Sequence, residues 1–184
     1  DPAKVAAECG LSLDVAQAAA EQLAHSKRHE GSKVELFDLF AGKGFSGQLI
    51  EAVLDKWGAR GPALVRRNPF ALLGMPSAGF RRCDRLWTEL KLPANSLKRQ
   101  ALVAANAVRT TPSGHTWITA QEVAAKLREL VPNADPLRAF RFGLRARKLK
   151  KYRDAAGVTW LADYGRATAE ERIVAAIGRL GAGA

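Results

Sequence analysis

The chain has little sulfur and, through its middle, little negative charge. Its 184 residues include two cysteines and one methionine. Cys9 and Cys83 are too few to staple a small secreted scaffold. Each falls inside a helical pattern and is expected to be a buried, reduced thiol, which fits a cytoplasmic compartment. No apolar run nears the roughly 18 residues of a membrane span, and no signal-peptide pattern is present, so a membrane role is excluded. The phosphate-binding run G-x-x-x-x-G-K-[ST] is also missing. "AGKGFSG" imitates part of it, but no glycine stands five residues before Gly42-Lys43, and glycine rather than Ser or Thr follows the lysine. ATP binding and hydrolysis in the usual way are not expected of this chain. It starts without methionine and ends in "GRLGAGA", and so reads as a piece of something longer.

Positive charge is abundant and unevenly placed. The formal net charge is +11. Residues 1–60 carry 7 basic and 9 acidic groups, residues 61–153 carry 19 and 5, and residues 154–184 carry 3 and 4. A solvated surface ordinarily mixes both signs, so a one-signed block points to an anionic partner, with nucleic acid the default. The bland alternative is a basic protein from a genome rich in arginine and alanine. A hydrophobic content of 47% argues against global disorder.

Helical patterns dominate. "DPAKVAAEC" and "LDVAQAAAEQLAHSKR" flank Gly10-Leu11-Ser12; "KVELFDLFA" and "SGQLIEAVLDKWG" flank Gly44-Phe45-Ser46, with Gly58 as a C-cap. "GPALVRR" and "NPFALL" are short helices, and Ser77-Ala78-Gly79 leads into a helix through Leu90. Three times, at spacings near 33 residues, a helix meets a glycine-containing tripeptide and then a second helix. This is the helix-hairpin-helix pattern, with one glycine of the ideal Gly-h-Gly turn replaced in each copy. After Pro93 the order becomes helix ("NSLKRQALVAANAVRT", capped by Asn95 or Ser96), strand ("HTWIT"), two helices, and a β-hairpin turning at Asp154 to Gly157. That is the order of a winged helix. Thr119 with Glu122 forms a capping box, as does Thr168 with Glu171. The expected fold is mainly α: tandem helix-hairpin-helix motifs over residues 1–93, a small winged-helix-like α+β domain over 94–165, and a linker helix over 166–184.

Chemistry in such turns comes from the backbone. Glycine lets the main chain approach closely, and N–H groups at the start of the following helix face a phosphate oxygen. Lys43, Gly44, Ser46 and Gly47 at one turn, and Ser77, Gly79, Arg81, Arg82 and Arg85 at another, are therefore candidate DNA contacts. Arginines at a helix start oppose the dipole by about 0.3–1 kcal/mol each, which a bound phosphate would relieve; plain solvated surface is the competing reading. Cys83, Leu86, Trp87 and Leu90 are expected in the core. In "PLRAFRFGLRARKLKKYR", Arg138, Arg141, Arg145 and Lys148 recur at three and four and share a helix face, while Leu137, Phe140 and Leu144 line another. Arg147, Lys150, Lys151 and Arg153 extend the charge into the wing. This stripe suits duplex phosphates without base-specific reading; docking on an acidic partner is the alternative. His115 is read as structural, and His25 with His29 as a solvated face, not a metal site.

From about residue 35 to 180 the sequence resembles the N-terminal region of RecD-like DNA helicases of the long bacterial type. The pieces carrying this are "GFSGQLIEAVLDKWG", "VRRNPFALL", "AGFRRCDRLWTELKLP", "SGHTWIT" and "VTWLADYGRATAEERIVAAIGRL". Residues 1–34 match loosely, as a further degenerate hairpin. Ser77 stands for the first glycine of its turn and Ser46 for the second of its own. The resemblance implies a non-catalytic, sequence-independent DNA-binding and positioning region, favouring single-stranded or junction DNA, with helicase motor domains in cis and a setting in DNA repair or recombination. No cofactor is expected here; ATP and Mg belong to a full-length parent. An interaction module bracing the motor or recruiting a partner is the alternative. A helix-hairpin-helix glycosylase is disfavoured, because Pro93 to Ser96, where its carboxylate would fall, contain none.

Overall fold

Apolar spacings of three and four form helices almost wherever they occur. A computed structural model describes residues 2–111 and 114–181, apart from the side chains of residues 25, 26, 28, 29, 180 and 181. Among the described residues the protein is mainly helical, with nine α-helices and one three-stranded antiparallel sheet. Two compact units divide at Leu92/Pro93.

The first unit contains α1 (Pro2–Cys9), α2 (Leu13–Phe40), α3 (Gly47–Trp57), α4 (Gly61–Arg67) and α5 (Phe80–Glu89). Short 3-10 segments occupy Gly58–Arg60 and Pro69–Leu72. The stretches on either side of Gly31, expected as two helices, are one 28-residue helix. Gly31 is exposed and a Cβ there would touch nothing, so only its propensity opposes the helix, and that is overcome. Leu36, Leu49, Val53, Val65, Leu72, Cys83 and Leu86 form a fully buried core. Phe70 stacks on Phe80 at 5.6 Å and meets Trp87 at 5.3 Å, which seats α5 on the Asn-Pro-Phe segment. Burial pushes the Cys83 thiol up to about 12, with Asp84 adding to the shift. Cys9, expected inside, is exposed, because α1 buries no residue.

The second unit contains α6 (Leu97–Arg109), β1 (Trp117–Thr119), α7 (Ala120–Leu130), α8 (Pro136–Arg145), β2 (Leu149–Arg153), β3 (Thr159–Asp163) and α9 (Tyr164–Gly181). The strand order is β1-β3-β2, all antiparallel. Ser113, in the quoted strand motif, lies outside the described residues. Caps fall where side-chain chemistry places them. Ser96 accepts the Arg99 N–H at 3.1 Å, Asp135 accepts that of Arg138 at 3.0 Å, and Thr119 and Glu122 complete their box. Buried Gln100 donates to the Asn95 carbonyl at 2.7 Å and accepts from the Asp135 N–H at 3.0 Å, tying the start of α8 to α6. The capping box expected at Thr168 does not form. Asp163 accepts the Arg166 N–H at 3.2 Å, so α9 starts directly off β3; Thr168 bonds back to the Tyr164 carbonyl and Glu171 pairs with Lys150.

At Gly143 a Cβ would lie 2.8 Å from Leu149 Cδ1, so glycine sets how closely α8 meets β2. Gly143→Ala is expected to lower stability by about 1–3 kcal/mol through overpacking, and Gly31→Ala to raise it by about 1 kcal/mol through helix propensity. Urea unfolding followed by circular dichroism checks both signs.

Candidate nucleic-acid interface

The three tripeptide turns share one backbone path. Their first residues, Gly10, Gly44 and Ser77, have φ of +66°, +75° and +56°. Their third residues, Ser12, Ser46 and Gly79, are extended, with ψ of 150°, 157° and 155°, and each is the N-cap of the next helix. The left-handed residue reverses the chain and the extended one launches the helix. Glycine is thus demanded only at the first position, where Gly44 supplies it. Gly79, with φ −70°, uses none of glycine's freedom. Ser77 holds the left-handed conformation at a cost of about 1–3 kcal/mol.

Neighbouring contacts offset that cost. The Ser46 N–H donates to Ser77 Oγ at 3.1 Å, and the two hydroxyl oxygens lie 2.9 Å apart. The Ser77 carbonyl accepts from the Arg82 guanidinium at 2.6 Å, and a Cβ at Gly44 would sit 3.3 Å from Arg82 Nε. The second and third turns are therefore interlocked. Ser46 is of the residue class that caps helices, yet its hydroxyl rests on Ser77, and no side chain caps α3 or α5. By contrast α2, α6, α7 and α8 are each capped by a side chain. The first N–H groups of α3 and α5, on Gly47, Gln48, Phe80 and Arg81, have no acceptor within their helices. A Cβ at Gly47 or Gly79 would meet nothing within 4 Å, and neither first turn holds an acidic residue. Two helix starts facing open space present donors and positive dipole ends suited to phosphate oxygens.

The basic side chains here are less free than the sequence suggests. Arg82 is committed to Ser77. Arg85 donates to Glu89 at 2.8 Å, and Lys43, with 19% of its side chain exposed, lies 3.6 Å from the same carboxylate. The Arg85 hydrogen bond, with Lys43 adding charge, holds the Glu89 carboxyl below its ordinary range. Arg81 is exposed and makes no ion pair among the described residues.

In the second unit the cationic face is shorter than expected. α8 ends at Arg145. Arg147 turns left-handed (φ +50°), its N–H reaching the Leu144 carbonyl and that of Lys148 the Gly143 carbonyl at 2.8 Å. This is a Schellman close with arginine where glycine is usual, so Lys148 is off the helix face that holds Arg138, Arg141 and Arg145. Leu137, expected on the apolar face with Phe140 and Leu144, is 70% exposed; Phe140 is buried. Lys150 pairs with Glu171 and sits 5.3 Å from the Tyr164 ring centre, and Arg153 donates to the Gly157 carbonyl at 3.0 Å. Arg138, Arg141, Arg145, Arg147, Lys148 and Lys151 are exposed and have no carboxylate partner among the described residues.

No group of three or more potential metal ligands occurs among the described residues; the side chains of His25 and His29 lie outside them. Sequence reasoning missed two elements: the Ser46–Ser77 interlock and the role of Glu89 in restraining Arg85 and Lys43. Glu89, four residues after Arg85, carried a readable i,i+4 signal. The serine pair, 31 residues apart, carried none.

Residues 29–117 match the family model for the ATP-dependent RecD2 DNA helicase HHH domain. These residues are a RecD2-type helix-hairpin-helix region. The RecD2 match takes in the Gly44 and Ser77 turns, α3 to α6 and the first residue of β1, and leaves the Gly10 turn and residues 118–184 outside. A RecD2 helix-hairpin-helix region is by itself a non-catalytic part of a helicase. No curated protein matches the chain. No helix among the described residues is long and apolar enough to cross a membrane.

The turn between β2 and β3 yields a pH prediction. Asp154 accepts from the Trp160 indole and the Val158 N–H, both at 2.8 Å, and the indole bond leads in holding its carboxyl below the ordinary range. A carboxyl lowered on folding contributes fully above its unfolded pKa, about 3.9, and loses that contribution as pH falls through the folded value. The Trp160 indole resonance is expected to hold its position from neutral pH to about 4 and to shift only below it. Asp154→Asn should abolish that acid step.

Proposed function

We propose that this chain is the DNA-binding and positioning region of a RecD2-like helicase, gripping the sugar-phosphate backbone without regard to sequence. The observation that carries the reading is the paired, uncapped starts of α3 and α5: Ser77 holds the Ser46 hydroxyl that would cap α3, and Gly79 has no side chain with which to cap α5. Gly47 and Arg81 carry donors, Gly79 leaves the start of α5 open, and Gly44, Ser46 and Ser77 shape the turns. Lys43, Arg82 and Arg85 act mainly as braces. In the second unit Arg138, Arg141, Arg145, Arg147, Lys148 and Lys151 provide a second cationic surface, with Lys150 held back by Glu171. Motor domains in cis, supplying ATP and Mg chemistry, a preference for junctions, work in DNA repair or recombination and a cytoplasmic setting follow from the RecD2 resemblance. A second reading, an interaction module, draws support from α2, where Val34 and Phe37 are 56% and 64% exposed.

Fluorescence anisotropy with single-stranded, duplex and forked DNA at two salt concentrations tests the main reading. About six phosphate contacts give a log–log salt slope of roughly −5. Arg81→Ala and Arg141→Ala are each expected to reduce the magnitude of that slope by about 1; no binding to any of the three DNAs refutes the reading. Glu89→Gln, which releases Arg85 and Lys43, should tighten binding by roughly two- to fivefold at low salt, with the gain fading as salt rises.

A further inference from the structure

We propose that a groove in the second unit docks an acidic peptide segment of a protein partner through one or two bulky apolar side chains. The groove lies among α7, α8 and the strands β2 and β3 and has a volume of about 570 Å3, the size range of sites that hold a small organic group. Ala124, Leu137, Phe140, Leu144 and Leu161 line it with apolar surface. Leu137, one of these lining residues, is 70% exposed. Three cations, Arg128, Arg141 and Lys151, share the lining with one carboxylate, Asp135, and that carboxylate already accepts the Arg138 N–H.

Floor and rim together select the occupant. Phosphate or sugar laid on the apolar floor would lose water without gaining hydrogen bonds, whereas an apolar side chain gains by leaving water. The rim then favours aspartate or glutamate on either side of that anchor. A duplex, with its bases stacked inside, presents phosphate and sugar and satisfies the rim alone. An unstacked base adds an apolar face but no carboxylate, and is the competitor that the forked-DNA measurement below separates. A neutral peptide satisfies the floor alone. Because Arg141 and Lys151 also belong to the proposed DNA surface, peptide and DNA should compete. The groove itself rests on packing and charge within the second unit and stands apart from the DNA reading.

The probe is a fluorescein-labelled eight-residue peptide with three acidic residues on each side of a central Leu-Phe pair, and a control with Ser-Ser at the centre, titrated with the full chain by anisotropy. Saturable binding of the Leu-Phe peptide is expected, with the Ser-Ser control at least tenfold weaker. Leu137→Ala and Leu144→Ala should each weaken the peptide about tenfold. Leu137→Ala, which removes no charge and alters an exposed side chain, should leave forked-DNA affinity within twofold. Equal binding of the two peptides, or parental affinity in both variants, overturns the proposal. So does an equal loss of DNA affinity in the variants, which gives the groove to nucleic acid. A concentration-dependent dimer in sedimentation that both variants abolish makes a second copy the occupant and also overturns it. Peptide binding without DNA binding rejects the proposed function alone, and DNA binding without peptide binding rejects the groove alone.

Discussion

The contact between Ser46 and Ser77 is the constraint on which the geometry of the second and third turns depends. Two hydroxyls 2.9 Å apart, with the Ser46 N–H on the same Ser77 oxygen, do three things. They hold a serine in a backbone region it disfavours, fix the second turn against the third, and keep the natural cap of α3 from closing over its own helix. A helix end without a cap is ordinarily a weakness of about 1 kcal/mol. Here two such ends open beside one another, and the same local cost leaves two sets of backbone donors without a side-chain cap. Arg82 strengthens the arrangement by binding the Ser77 carbonyl and crossing Gly44. Its charge at the start of α5, unfavourable to the dipole, is explained by that structural task without any ligand.

The second unit follows the opposite rule. Its helices are capped with Ser, Thr and Asp, and the turn between β2 and β3 is closed by a carboxylate bonded to an indole and a backbone N–H. Among the described residues of this unit, Arg147 at the exit from α8 is the one non-glycine in the left-handed region. The basic residues around it are exposed and have no carboxylate partner among the described residues, while Lys150 and Arg153 are restrained by Glu171 and the Gly157 carbonyl. The positive block visible along the sequence therefore separates into residues that can meet a ligand and residues that hold the fold.

How much of this was legible depended on the range of the interaction. Caps at Ser96, Thr119 and Asp135 and the turn at Gly157 were readable because each is decided within four residues. Element order after Pro93 was readable because periodicity changes sharply between helix and strand. Continuity through Gly31 was not, since local propensity suggests a break there. The length of the α8 stripe was misjudged because arginine was not expected to adopt the left-handed close. Thr168 failed as a cap because Asp163, the last residue of a strand, does that work, which no motif of a helix start reveals. The serine interlock joins residues 31 positions apart, and no local pattern encodes a pairing at that distance.

One joint has a mechanical meaning. β3 ends at Asp163 and α9 begins at Tyr164, and the carboxylate between them, 7% exposed, is held by Arg109 at 2.7 Å. The junction contains no slack. With no loop residue between them, any reorientation of α9 has to be absorbed within its own first turn or by β3, which is the central strand of the sheet and pairs with β2.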